Sequence, residues 1–244
     1  MNTKTNFNRV GIAVLALSLA MVACSPLQIA PAGETKTETQ SVDAGTATSA
    51  SVLLEMDAGR MKVGDGAQHL MEADFRYDRP GWQPQIDYAV SGSQGNLVVS
   101  QPKAENTLPV GRTVDNEWTV SLNNEMPLDL TIRTGAGEGT LDLSGLNLTR
   151  LMVEFGAGNT NLDLSGSWDH DVHATVNGGV GNLSVTLPVN MGVRVNAATG
   201  LGNVTTHGLS REGGAYVNEA YGSSPNTFTL DIQAGVGAVE LTAP

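Results

Sequence analysis

The sequence predicts an all-β protein, a single-stack β-solenoid of parallel β-helix-like form with coils of about 21 residues. Three observations carry this. Leu141, Leu162, Leu183 and Val204 recur at equal intervals of 21 residues. Each follows glycine-rich punctuation: GAGEG from 135, GAG from 156, GGVG from 178 and GLG from 200. The stretches around these glycines alternate apolar and polar residues, the period of a half-buried strand. Glycine reaches backbone angles that turn a chain sharply, and a fixed period near 21 marks a repeat whose units must stack to bury their apolar sides.

Taken in order, the chain opens with an address. Lys4 and Arg9 precede the apolar run GIAVLALSLAMV at 11–22, and Ala23-Cys24-Ser25 follow. A basic start, a short apolar core and small residues read as a signal peptide, and the run is too short to cross a bilayer comfortably. Met21-Val22-Ala23-Cys24 resembles a bacterial lipobox, with Met21 where Leu is usual, and Cys24 is the chain's single cysteine. The expected divisions are 1–23 lipoprotein signal peptide, 24–34 flexible tether, 35–110 first part of the solenoid and 111–244 its repeat part. Acylated Cys24 would then hold the protein to a lipid bilayer on the extracytoplasmic side, in the outer membrane if the host has one.

The tether SPLQIAPAGE has two prolines and no apolar period. Thr35, Thr37, Thr39 and Ser41 alternate with Lys36, Glu38 and Gln40, a polar strand suited to capping an open sheet edge. Two rows follow: Gly59–Val63 after Val52, Leu54 and Met56, and Gly95–Val99 after Ile86, Tyr88 and Val90. The regular rows come next, each glycine turn preceded by a second alternating strand (Leu130 and Ile132, Val153 and Phe155, Ala174 and Val176, Val193 and Val195). Ser210–Asn226 breaks the period and brings Tyr216 and Tyr221, a loop that could form a binding face. Gly235–Leu241 is a last copy, and Ala243-Pro244 would blunt the final edge. An antiparallel β-sandwich also yields short alternating strands, but it does not generate three equal intervals.

The runs PLDLTIRTGAGEGTLDLSGLNLTRLMVEFGAGNTNLDLSG, LLEMDAGRMKV and NTFTLDIQAGVGAVEL resemble the toast-rack family. Those are bacterial envelope proteins related to the carboxy-terminal region of LiaF-type cell-wall-active antibiotics response proteins and to candidate adhesin repeats. The resemblance spans residues 35–244. It implies a stacked β fold and an interaction, adhesion or envelope-stress role, and it transfers no catalytic residue.

Composition excludes several functions. Thirteen Lys and Arg stand against 25 Asp and Glu, a net charge of -12, which opposes the phosphate contacts that nucleic-acid binding requires. Loss of residues 1–23 removes two bases and no acid, leaving -14, so the body should not adhere to anionic headgroups by itself. One cysteine makes no intramolecular disulfide and no C-x-x-C pair. GAGNTN and GLGNVT lack the third glycine of a dinucleotide fingerprint and run into strands, whereas phosphate binding uses a helix start. In GGVGNLSV, Leu183 stands where a calcium β-roll would place Asp. No cofactor is expected.

Two constellations remain. Asp142 and Asp163, 21 apart and outward beside inward leucines, could stack as neighbouring carboxylates, in a row continuing through Ser184, Thr205 and Glu240, as a polysaccharide-active β-helix enzyme would require. Asp169, Asp171 and His173 share one strand face and are the candidate metal ligands, for a reading as a small-ligand or cation binding protein; a spacing of about 7 Å between alternate residues is awkward for one ion. His69 and His207 stand apart. The leading expectation is a non-enzymatic, lipid-anchored envelope protein whose partner is an envelope protein or a cell-wall polymer.

Overall fold

The computed structural model describes residues 34–103 and 115–244. Fourteen strands join in one sheet: β1 Lys36–Val42, β2 Ser49–Gly64, β3 Met71–Tyr77, β4 Gln85–Ser91, β5 Gln94–Ser100, β6 Asn116–Leu122 and β7 Leu128–Asp142 in the first half. The second half holds β8 Leu148–Asp163, β9 Val172–Val180, β10 Leu183–Thr186, β11 Gly192–His207, β12 Ser210–Glu212, β13 Ala215–Val217 and β14 Thr227–Thr242. The all-β stack of parallel strands expected from the repeat is present.

Each long strand is two walls joined at a bend. In β7 the buried residues are Leu128, Leu130 and Ile132 before the glycines, and Gly139 and Leu141 after them. The buried parity therefore switches from even to odd across GAGEG, which lets both arms turn their apolar sides toward one core. Gly137 sits at the bend with φ +141°, and Gly158, Gly181, Gly237 and Gly202 lie above it with φ between +133° and +151°. A Cβ on any of them would overlap the carbonyl oxygen of the glycine beneath, in the order 59, 137, 158, 181, 237, 202. Glycine is thus required twice over, by dihedral and by space.

That order corrects the expected succession of coils. β14 does not follow β11 in space; it lies between β9–β10 and β11, with Phe228 beside Val172 on one side and Val193 on the other. Its internal place also corrects the terminal cap: Ala243 continues the ladder by donating its N–H to the His207 carbonyl at 2.9 Å. The interval of 21 holds from Leu141 to Leu162, but Leu162 then faces Val185, a step of 23, and Leu183 faces Thr160. The two extra residues fall in the turn between β8 and β9. A strand pattern of period two is unchanged by a shift of two, so the sequence aligns equally well either way.

The first part also departs from simple coils. β5 runs parallel to the first arm of β2, and β6 runs parallel to its second arm. β4 folds back antiparallel on β5, and β3 and then β1 extend antiparallel from β6. The Ile86–Val90 and Gly95–Val99 row is therefore a hairpin, not a coil. Where β5 and β6 part, side chains replace the missing strand. Gln101 Oε1 accepts the Asp57 and Ala58 amides at 3.1 and 3.4 Å, and Asn116 Nδ2 donates to the Ala58 carbonyl at 2.6 Å. The bend of β2 is covered and its backbone satisfied.

β1 is the outer strand here, largely exposed, with Thr39 Oγ1 donating to Asp74 at 2.6 Å. It places Glu38 over buried Tyr77, whose hydroxyl donates to Glu38 Oε1 at 2.6 Å. Burial first, then the bond to Glu38 and its negative charge, push the Tyr77 hydroxyl up to about 12. Because the folded value exceeds the unfolded one, this contribution is complete below about pH 10 and is lost as pH climbs toward 12. Tyrosinate absorbance should show Tyr77 ionising only near pH 12, and Glu38→Gln should bring its midpoint down.

Candidate functional site

The turns between arms gather the polar residues that the sequence singles out. Asp142 and Asp163 are direct neighbours on β7 and β8. Each is occupied by its own turn: Asp142 Oδ1 accepts the Ser144 amide and hydroxyl at 3.3 and 2.7 Å, and Asp163 Oδ1 accepts the Ser165 amide at 2.9 Å. These Asx turns lead the chain out of one strand toward the next coil. The row does not continue as expected. Asp163 faces Thr186 and then Thr242, while Ser184, Glu240 and Thr205 belong to a different row that runs through Lys62, Thr140 and Asn161.

The two-residue expansion after β8 carries Trp168, Asp169, His170 and Asp171. Trp168 folds inward against Phe228, ring centroids 5.4 Å apart, and its indole N–H donates to the Leu146 carbonyl at 2.8 Å. His170 spans two oxygens, Asp169 Oδ1 at 3.0 Å and the Leu148 carbonyl at 2.9 Å. Only a doubly protonated ring donates to both. The Asp169 bond first and the Leu148 carbonyl second raise the His170 pKa above its ordinary 6.5, and the same bond holds the Asp169 carboxyl below its usual range.

The candidate metal ligands go separate ways. Asp169 is taken by His170, and Asp171 Oδ1 accepts the Thr227 amide at 2.8 Å, anchoring the start of β14. His173 lies on β9 facing outward, in register with Arg150 and Thr229. Among the described residues no three His, Cys, Asp or Glu side chains gather as a metal site. His69 and His207 each stand beside a carboxylate, Asp43 and Glu240. The signal peptide at 1–23, Cys24 and the tether as far as residue 33 lie outside the described residues.

Between the turns of successive coils lies a shallow depression of about 400 Å³, lined by Asn124, Ser144, Asn147, Ser167, Asp169 and His170. It offers hydrogen-bond donors and acceptors with the Asp169–His170 pair at one side. The imidazole NMR signal of His170 is expected to titrate above the range of an unperturbed histidine, and Asp169→Asn should lower its midpoint. The sign follows from a raised folded value: this stabilisation is complete below pH 6.5 and disappears as pH rises through the folded pKa.

The opposite corner, the bend itself, is apolar. Ala136, Ala157, Val180, Val236 and Leu201 stack in register, each flanked by glycines. Val180, Val236 and Leu201 are 56%, 44% and 71% exposed. The signal lies in the middle residue of GAG, GAG, GVG, GVG and GLG, which a reading of those triplets as punctuation passes over. The period-breaking segment is no free loop: β12 and β13 form a hairpin that pairs with the first arm of β11. Asn218 locks it there, Oδ1 accepting the Val193 amide at 2.9 Å and Nδ2 donating to the Met191 carbonyl at 2.8 Å.

With this geometry the chain can be set beside known proteins. No curated protein matches it. The crystal structure of a candidate cell adhesion protein from Clostridium sporogenes is similar, with 33% identity, a TM-score of 0.84 and coverage of 86% of this chain and all of that one. A candidate adhesin from Bacteroides fragilis aligns at 13% identity over 86% of this chain and 98% of its own, with a TM-score of 0.33, too low to establish a shared fold. The family described as the N-terminal domain of toast_rack, DUF2154, matches residues 31–186. The chain belongs to the toast-rack family.

Proposed function

We propose that this protein is a lipid-anchored cell-envelope module that acts by surface contact, in adhesion or in binding another envelope component, and catalyses no reaction. The observation that carries this reading is the 33% identity to the whole of the Clostridium sporogenes candidate cell adhesion protein. Three features support it. The lipobox-like Met21–Cys24 would supply an anchor, and the resemblance to LiaF-type proteins favours an envelope setting. A rigid, continuously hydrogen-bonded stack suits the display of a surface. The partner is an envelope protein or a cell-wall polymer.

The test has two arms. Growth with a labelled fatty acid should mark the protein and should fail to mark Cys24→Ala. Crosslinking and affinity capture from the native membrane should then recover a reproducible protein or wall polymer that the soluble Cys24→Ala variant loses. Capture of lipid alone would sink the contact role, and an unlabelled, unanchored protein would sink the anchor.

A further inference from the structure

The two ends of the stack are finished differently. At the first end both arms of β2 are covered, one by β5 and one by β6. At the other end the hairpin pairs with β11 only at Arg194 and Val195. Beyond those residues the outer side of β11 has no strand partner among the described residues, while its inner side pairs with β14 through to His207. The His207 carbonyl accepts from Ala243 and so faces β14. Since successive residues alternate along a parallel ladder, Val204 and Thr206 turn their N–H and C=O groups away from β14, into the open edge.

We infer that this second arm, Gly200–His207, is a dimerisation edge that pairs antiparallel with the same segment of a second copy. Four observations select that occupant. First, the edge is unguarded. Free strand edges are ordinarily protected by charge or proline, and here β1 carries Lys36 and Glu38, β4 carries Asp87 and β12 carries Arg211 and Glu212. Ala198–Thr206 carries none of these. Second, it is a neutral stretch in a chain of net charge -12, so two copies can meet here without the repulsion that other faces would bring.

Third, the core is unfinished at this point. Val204 is partly exposed, whereas its ladder neighbour Val239 is 1% exposed and Leu183, one strand further in, is also 1% exposed. About a two-fold axis normal to the sheet, Val204 and Thr206 of both copies lie on one face, and the apolar wall runs on from stack to stack. Leu201, 71% exposed, flanks the same seam. Fourth, among the described residues no further segment fills the edge. Both stretches outside the described residues attach at the far end, at Glu34 beside β1 and between Lys103 and Asp115 beside β2.

Antiparallel pairing of identical edges also sets a geometric condition. Residues whose backbone groups face the partner must meet residues of the same kind, so one residue near the middle of the segment lies opposite itself.

Light scattering and sedimentation equilibrium on the full chain carrying Cys24→Ala test this without the anchor. The expected species at tens of micromolar has twice the 25.4 kDa chain mass. Thr206→Pro removes an outward donor and leaves the β14 bonds intact, so it should give a monomer with an unchanged β circular-dichroism signal. Leu201→Asp, on a side chain that needs no burial to fold, should weaken dimerisation by tenfold or more and keeps the test decisive if the proline variant does not fold. In the same background, one of Asn203→Cys, Val204→Cys or Thr205→Cys should crosslink to itself under mild oxidation. A monomer across the whole concentration range overturns the inference, and so does a dimer that survives both edge substitutions.

Discussion

Gly158→Ala is expected to destabilise the protein by at least about 3 kcal/mol and to lower its melting temperature by roughly 6–12 °C. The residue has φ +133°, and an added Cβ would overlap the Gly137 carbonyl oxygen. The obstacle is backbone, so no rotamer change relieves it. Either the two coils separate at the bend, breaking ladder bonds on both arms, or the strained dihedral relaxes and tilts one arm off the core. Strain of this kind costs about 1–3 kcal/mol alone, and the lost ladder contacts add to it. Ala157→Val is the matched control. Its side chain is exposed, its neighbour in the stack is already Val180, and an exposed substitution of this sort usually changes stability by no more than about 0.5 kcal/mol. Thermal melts of the two variants beside the parent decide the matter; equal midpoints would mean that the glycine column is not a steric requirement.

The same column shows how much of the fold was legible in the sequence. Alternation and glycine punctuation are local, and they identified an all-β stack, the bends and the inward residues of the regular rows. The adjacency of Asp142 and Asp163 followed from an interval of 21. What was not legible depends on which edges meet. Leu183 could be laid beside Leu162 because a shift of two preserves every inward and outward side chain, and only the stacked bend glycines, Gly158 against Gly181, fix the true step of 23. The place of β14 is set by the core: inserted, its Phe228, Leu230, Ile232, Val239 and Leu241 are all buried, whereas the outermost long strand leaves Val204 partly exposed. Nothing in a one-dimensional pattern ranks those two arrangements. The roles of Asp169, Asp171 and His170 were hidden for the same reason. Asp171 and His170 find partners on other coils, the Thr227 amide and the Leu148 carbonyl, and Asp169 is then taken by the His170 ring so placed.

Removing residues 227–244 is expected to abolish folding, an outcome that separates this topology from a solenoid wound in sequence order. In a sequential stack the last strand is a terminal coil, and its loss exposes one new edge while the remaining coils keep their contacts. Here β14 is flanked on both sides, by β9 and β10 and by β11. Its deletion takes five fully buried side chains from the middle of the core, Phe228, Leu230, Ile232, Val239 and Leu241. At about 1.5–3 kcal/mol each, that is roughly 8–15 kcal/mol, comparable to the whole stability of a typical domain. The register also forbids simple closure of the gap. β11 would have to dock directly on β9 and β10 while still tied to the hairpin that Asn218 holds, and Asp171 would lose the Thr227 amide that it accepts. Circular dichroism and urea titration of the truncated chain should therefore show no cooperative transition. A soluble truncated protein that unfolds cooperatively, with strand content reduced only by one coil, would place β14 at the end of the stack and refute the interior position.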